Sequence, residues 1–376
     1  MRIAIVTLPL HTNYGGILQA YALQTVLEQM GHKVEHLQPE VEFPKLHSTW
    51  KMPLAWGKRL YRRYLRGEKQ LPIFMHPHKW MRLKTDVFIA EFVKCHYVKQ
   101  GEWKSEKNKI YDVVMFGSDQ VWRPLYALPI EKYFGSFLCD CAVKRIAYAA
   151  SFGTCVSEYS KEQQYKCTEL LKGFAAVSVR ENSAVDMCKT MFGVDAKHVL
   201  DPTLLLQKDE YIRIFQNRKT PKSDGNLAVY VLDDSLEISA FIQNVSELSA
   251  LVPFRANSNV DNRGVLIAGS QYPSVERWLR SFYDAELVIT DSFHACVFSI
   301  IFGKPFICIG NKERGSARFQ SLLSMLGLED RLVTSFDDFE ARKENLMKEI
   351  DYSRVYAILE EKRKESMDFL QKSLMK

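Results

Sequence analysis

Short apolar runs alternate with stretches whose apolar positions recur every three or four residues, through most of the chain. "RIAIVTL" (2–8) predicts a first strand. It leads into a helix from about Ile17 to Met30, which Gly31 stops, and a second strand follows at "KVEHL" (33–37). "YDVVMFGSDQVW" (111–122), "RIAYAASFG" (145–153), "AAVSVRE" (175–181) and "HVLDPTLLL" (198–206) each read as a buried strand closing on a polar or glycine-bearing loop. These runs are apolar throughout rather than alternating, as parallel strands covered on both faces are. The polar stretch "QNRKTPKSDGN" (216–226) marks a boundary, after which the pattern resumes at "LAVYVLD" (227–233) and "ELVITDSFHACVFSIIFGKPFICIG" (286–310). Helices follow near 318–327 and 337–349, and 351–376 reads as one long amphipathic helix. The expected fold is α/β: two Rossmann-like domains, 1–215 and 216–350, facing a central cleft, with the helix 351–376 closing back. In such sheets ligands collect beyond the C-terminal strand ends.

Composition narrows the class. A 47% apolar and 26% charged chain is that of a globular protein, and no run approaches a membrane span. The apolar run at the N-terminus is short and lacks a small-residue cleavage site, so it reads as a strand rather than a signal peptide. The eight cysteines are scattered, several inside apolar runs, as reduced packed thiols are; the expected compartment is the cytoplasm. Cys139 and Cys141 form the one close pair, and no histidine completes a zinc set, so no metal site is expected. The formal charge of +6 is local: Lys45 to Lys69 carries a net of +7, leaving the rest at −1. Within that basic, aromatic insertion (about 45–70), residues 50–69 interleave Trp50, Trp56, Tyr61 and Tyr64 with cations, a pattern that suits an anionic membrane surface. An ordinary packed surface helix reads the same way. No nucleic-acid-binding motif accompanies it.

The polar residues that stand out all lie at strand ends. They are Thr12, Asn13, Tyr14, Gly15 and Gly16; Ser118 and Asp119; Ser151; Arg180 and Glu181; and Asp291, Ser292 and His294. A doubly wound fold converges those ends on one cleft.

Taken in order, "NYGGILQAYALQ", "DVVMFGSDQVW", "AYAASFG", "AVSVRE", "VLDPTLL", "DSFHA" with "FGKPFICIG", and "RFQSLLSMLGL" resemble the polysaccharide pyruvyl transferases over nearly the whole chain. The resemblance implies a fold similar to the GT-B glycosyltransferases, phosphoenolpyruvate as donor and no other cofactor. It also implies pyruvate placed as a ketal on a sugar of a surface glycan such as a capsular or exopolysaccharide precursor. An acceptor of that kind is expected on a polyprenyl-diphosphate carrier, which a membrane contact through 50–69 would suit. The family's donor-associated arginine and histidine map onto Arg180 and His294. Ser292 stands among the donor residues where some members carry an arginine.

The chemistry sets its own requirements. Protonating the methylene carbon of phosphoenolpyruvate develops cationic character at C2; two sugar hydroxyls then add and phosphate leaves. That calls for a cationic clamp, a proton donor and a base. Arg180 offers a planar fork for carboxylate or phosphate, and His294 titrates near neutrality. Lys312, Arg314 and Arg318 follow another strand end and extend the clamp. Asp119 is an acceptor-side base, and Asp291 orients His294 or the acceptor. Each has a plainer reading: an ion pair for Arg180–Glu181, a core histidine for His294, helix caps for Asp119 and Asp291, a solvated loop for 312–318. Thr12 to Gly16, Ser118, Asp119 and Ser151 are assigned to the acceptor side; Gly15-Gly16 starts the helix and lets the loop after the first strand bring Thr12, Asn13 and Tyr14 close to the ligand, as a wall of that site. A nucleotide-sugar glycosyltransferase and a non-catalytic protein of the same fold remain alternatives. "HTNYGGIL" is not G-x-G-x-x-G, which argues against a dehydrogenase.

Overall fold

Ile3, Ala4, Ile5 and Val6 of β1 (Arg2–Val6) are all fully buried, which requires a strand covered on both faces. The structure, a computed structural model, describes residues 1–40, 57, 61, 64–65, 77–99, 101–108, 111–138, 142–233, 235–257, 271–310 and 317–375. The first sheet runs β3 (Cys95–Val98), β2 (Lys33–Pro39), β1, β4 (Val113–Phe116), β5 (Lys144–Ala150), β6 (Ala176–Val179), β7 (Lys197–His198), with every pairing parallel. The second runs β12 (Leu332–Val333), β11 (Phe306–Ile309), β10 (Leu287–Thr290), β8 (Leu227–Tyr230), β9 (Pro253–Arg255), also parallel throughout.

Strand order places the cleft. In the first sheet the chain winds from β1 outward through β2 and β3, then returns to the other side of β1 as β4. In the second it leaves β8 for β9 and returns beside β8 as β10. The order reverses between β1 and β4 and between β8 and β10, and crevices open beyond strand ends at such points. The loops at those ends carry Thr12 and Asn13, Ser118 and Asp119, and Asp291 to His294.

Side chains alternate across the strands into separate cores. Ile3, Ile5, Val113 and Met115 enter a central apolar cluster, whereas Ala4, Val6, Val114 and Phe116 enter an outer one. The central cluster continues through Ala228, Tyr230 and Val288 of the second sheet, while Val229, Leu287 and Ile289 pack on that sheet's far face. The two halves therefore share one core. The C-terminal helix Tyr352–Met375 seals it with Val355, Leu359, Leu370 and Leu374, and the Lys144 ammonium donates to the Leu374 carbonyl at 3.0 Å. Among the described residues, no helix is long and apolar enough to cross a membrane.

Two elements differ from expectation. The first helix spans Tyr14–Gln29 rather than starting near Ile17, because the Asn13 side chain accepts from the Gly16 amide at 3.2 Å and caps it. Both glycines thus lie in its first turn. The run 198–206 is strand only at its first residue; Pro202–Leu204 form a 3₁₀ turn capped by Asp201, which accepts from the Thr203 amide at 3.0 Å. Of the basic insertion, only Gly57, Tyr61, Tyr64 and Leu65 are described, as exposed helical residues, so its membrane reading lies outside the described residues. The Cys139–Cys141 pair lies outside them too.

Candidate functional site

The cleft between the sheets encloses about 470 Å³. A cavity of about 540 Å³ behind Arg180, reaching His198, is larger but touches none of the candidate side chains. From the first half the cleft is lined by Thr12, Asn13, Gly15, Gly16 and Asp119, and from the second by Asp291, Ser292, His294 and Arg318. Residues far apart in the chain are thereby brought to one volume.

Gln19 fixes the loop after β4. Its side-chain oxygen accepts from the Ser118 amide at 3.1 Å, while its amide donates to Thr7 Oγ1 at 3.0 Å, and Thr7 in turn donates to the Ser118 carbonyl at 2.9 Å. That brace presents Asp119, in the left-handed region at φ 74°, to the cleft. Asn13 Nδ2 lies 3.5 Å from Asp119 Oδ2. Ser118 itself turns away: it is fully buried, with Oγ 3.1 Å from both the Ala149 carbonyl and Asp201 Oδ2.

Behind Asp119 sits a buried charge cluster. Arg180 donates to Asp201 Oδ2 at 2.6 Å and to Asp119 Oδ1 at 3.4 Å, and its Nε lies 3.9 Å from Glu181. Its side chain is only 1% exposed and does not border the cleft, so its fork is engaged within the protein. Ser151, fully buried, donates to Glu181. Burial raises the Glu181 carboxyl above the usual range despite Arg180 and the Ser151 hydroxyl.

Asp201 is the member that sequence reasoning missed. It accepts from Arg180 and, at 2.6 Å, from the Thr203 hydroxyl, and its Oδ2 lies 3.6 Å from His294 Nε2. Burial opposes its ionisation, but His294, Arg180 and Thr203 outweigh that and hold the carboxyl well below the usual range. A fixed anion 3.6 Å from Nε2 orients the imidazole electrostatically. The sequence signal was the Asp-Pro pair in "VLDPTLL", which breaks a strand and starts a turn.

His294 stands in the first turn of the helix Phe293–Phe302, nine of whose ten residues are buried. Its ring occupies the space beside Gly15: a Cβ built there would collide with Nδ1 and Cγ of His294. Gly15, read from sequence as acceptor wall, packs against the donor-side histidine. Asp291 does not orient His294 through the described contacts. Its oxygens accept from the Leu232 and Asp233 amides at 2.8 and 3.0 Å, bracing the loop after β8. Ser292 precedes the helix without a side-chain cap.

Arg318 is the described arginine that borders the cleft. Burial and the nearby Arg180 charge lower its guanidinium to about 10, still charged at neutral pH. Both cations approach the Phe293 ring, the Arg180 guanidinium carbon at 4.6 Å from its centroid and that of Arg318 at 5.8 Å. Lys312 and Arg314 lie outside the described residues. Tyr14 leaves the cleft altogether. Fully buried, it stacks on Trp278 at 5.1 Å and donates to the Pro273 carbonyl at 2.7 Å, pinning the first helix to the second half.

The arrangement provides a half-buried cation, a histidine held by an anion, and a carboxylate facing one cavity. A family model described as polysaccharide pyruvyl transferase matches residues 13–313. No curated protein matches the sequence. In fold the chain is similar to UDP-GlcNAc 2-epimerase from Neisseria meningitidis bound to UDP-GlcNAc, at 9% identity and a TM-score of 0.54, covering 99% of this chain and 100% of that one. It is also similar to S. aureus MnaA in a co-structure with UDP (11% identity, TM-score 0.51, 95% and 90% covered). UDP-N-acetylglucosamine 2-epimerase from Rickettsia bellii is a third (9%, 0.51, 99% and 96%). At such identities the likeness is one of fold, two Rossmann-like domains of the GT-B type.

Proposed function

The chain belongs to the polysaccharide pyruvyl transferase family and is a transferase, and from that premise we propose that its donor is phosphoenolpyruvate and its product a pyruvate ketal. The acceptor is a sugar of a capsular or exopolysaccharide precursor. One proton goes to the methylene carbon of the donor, C2 takes up a sugar hydroxyl, the phosphate C–O bond breaks, and a second hydroxyl closes the ketal. Of the two protons the hydroxyls give up, one balances that on the new methyl group and one leaves with phosphate.

The single observation that carries this reading is the convergence of Arg318, His294 and Asp119 on one cavity. Arg318 supplies the cationic contact for the donor's carboxylate or phosphate. His294, held by Asp201, delivers and collects the proton. Asp119 accepts the proton of the attacking hydroxyl. Arg180 holds Asp201 and Asp119 in place. On sequence alone, the 50–69 stretch supports a contact with the inner face of the membrane, where a polyprenyl-diphosphate-linked acceptor would lie.

The test incubates the protein with phosphoenolpyruvate and a galactose-containing lipid-linked acceptor. Phosphate release together with a pyruvyl mass increment on the glycan is expected. Sugar transfer from a nucleotide sugar with no use of phosphoenolpyruvate would overturn the reading.

A further inference from the structure

The cleft continues past the reacting residues. Tyr126 lines its mouth and is 46% exposed. The ring is held from one side: the Arg123 guanidinium carbon lies 4.8 Å from its centroid. Arg123 is in turn fixed by Glu158 through contacts of 2.8 and 3.1 Å, with only 5% of its side chain exposed. An aromatic ring backed by an immobile cation, with nearly half its surface open, is a preorganised stacking platform. It sits on the segment that follows Asp119, so platform and acceptor-side carboxylate belong to one stretch of chain.

Beyond Tyr126 lies a second cavity of about 530 Å³, bordered by Pro9, Trp103, Leu128, Lys132 and Phe137. Pro9 also borders the cleft, so the two volumes meet at that residue. Leu128, which borders this second cavity, is 68% exposed and adds apolar surface to it. The Lys132 ammonium lies 3.6 Å from the centre of the Trp103 ring. Burial lowers it to about 8, and among the described residues no carboxylate pairs with it. Lys104, Glu40 and Ser136 also border this groove, with Pro39 and Pro129; two cations against one carboxylate suit an anionic group on a ligand with apolar faces.

We propose that this is an extended acceptor track: Tyr126 stacks on the sugar adjoining the one being modified, and the groove carries the following part of the chain, with Lys132 against its anionic group. The inference rests on the sugar acceptor of the proposed function. It makes the protein a reader of oligosaccharides rather than of single sugars.

Binding to the full-length protein, without phosphoenolpyruvate, tests it by calorimetry. The probes are galactose oligosaccharides of one, two and four residues, and the tetrasaccharide bearing a reducing-end phosphate or a uronic acid. Affinity is expected to rise about tenfold from one residue to two. Tyr126→Ala should erase that rise and Tyr126→Phe restore it, with circular dichroism verifying the fold. The anionic probes should bind more tightly than the neutral tetrasaccharide, and Lys132→Met should remove the gain. The phosphate and uronic arms show which anion is read. Equal affinity for one and four residues, an equal Tyr126→Ala loss on every probe, or no binding at all would overturn the track. The donor reading fails separately: length-dependent binding without pyruvyl transfer leaves the track standing, whereas transfer with the same KM for one and four residues leaves the donor reading and removes the track.

Discussion

The imidazole of His294 fills the space that a side chain on Gly15 would need. The contact joins the first turns of two helices from opposite halves of the molecule, so Gly15 serves as clearance for the His294 ring. Alanine is favoured over glycine inside a helix by roughly 1 kcal/mol. Gly15→Ala should forfeit that gain, because the added carbon displaces the ring. We expect transfer activity to fall about 100-fold or more, with no rise in Tm. At Gly16 the added carbon meets Asn13 and Asp119 at 3.3 to 3.5 Å, which a small shift accommodates. Gly16→Ala should keep most activity; equal rates for the two variants would sink the assignment.

Asp201 is proposed to position His294 without touching substrate. Asp201→Asn keeps the shape but removes the anion at 3.6 Å from Nε2. Turnover is expected to drop roughly 10²- to 10³-fold with KM for phosphoenolpyruvate little changed. Turnover that stays put, with only Tm reduced, would mean that Asp201 is structural.

Much of the frame was legible because parallel strands buried on both faces leave uninterrupted apolar runs, as at "VVMF" and "LVIT". The run at 199–206 misled for the same reason: Leu204, Leu205 and Leu206 are buried, but in a turn capped by Asp201. The acid at its centre therefore went unnoticed. Thr12, Asn13, Gly15, Gly16, Asp119, Asp291, Ser292 and His294 did meet at one cleft, as strand order dictates, whereas Tyr14, Ser118, Ser151, Arg180 and Glu181 do not line it. Their orientation was not legible. Nothing local distinguishes Asp119, which faces the cleft, from Ser118, which turns to Ala149 and Asp201, and nothing near Gly15 announces His294. Tyr14 read as a ligand contact because it stands in the loop expected after β1; its partner, Trp278, belongs to the other half.

His36 on β2 is fully buried, and burial lowers its imidazole from 6.5 to about 4. The folded protein keeps it neutral while the unfolded chain protonates it near 6.5. Stability from this group is complete above pH 6.5 and is lost as pH falls towards 4, about 3 kcal/mol across the window. His36→Leu should flatten the dependence of the unfolding free energy on pH between 6.5 and 4.5 by close to one proton. Urea titrations of both proteins at several pH values measure it, and parallel curves would refute the assignment.

Arg180 and Arg318 both approach the Phe293 ring and should fail differently. Removing Arg180 strands Asp201 and Asp119 in a buried site without their counter-ion. Arg180→Leu is therefore expected to cost about 3–5 kcal/mol of stability, seen as a fall in the urea midpoint before any assay of activity. Arg318 borders the cleft and is less deeply buried. Arg318→Ala should fold within about 1 kcal/mol of the parent, yet raise KM for phosphoenolpyruvate tenfold or more while leaving acceptor binding intact. If Arg180→Lys folds normally and carries the KM defect instead, the donor's anionic groups reach through to Arg180, and its pairing with Asp201 must open during the reaction.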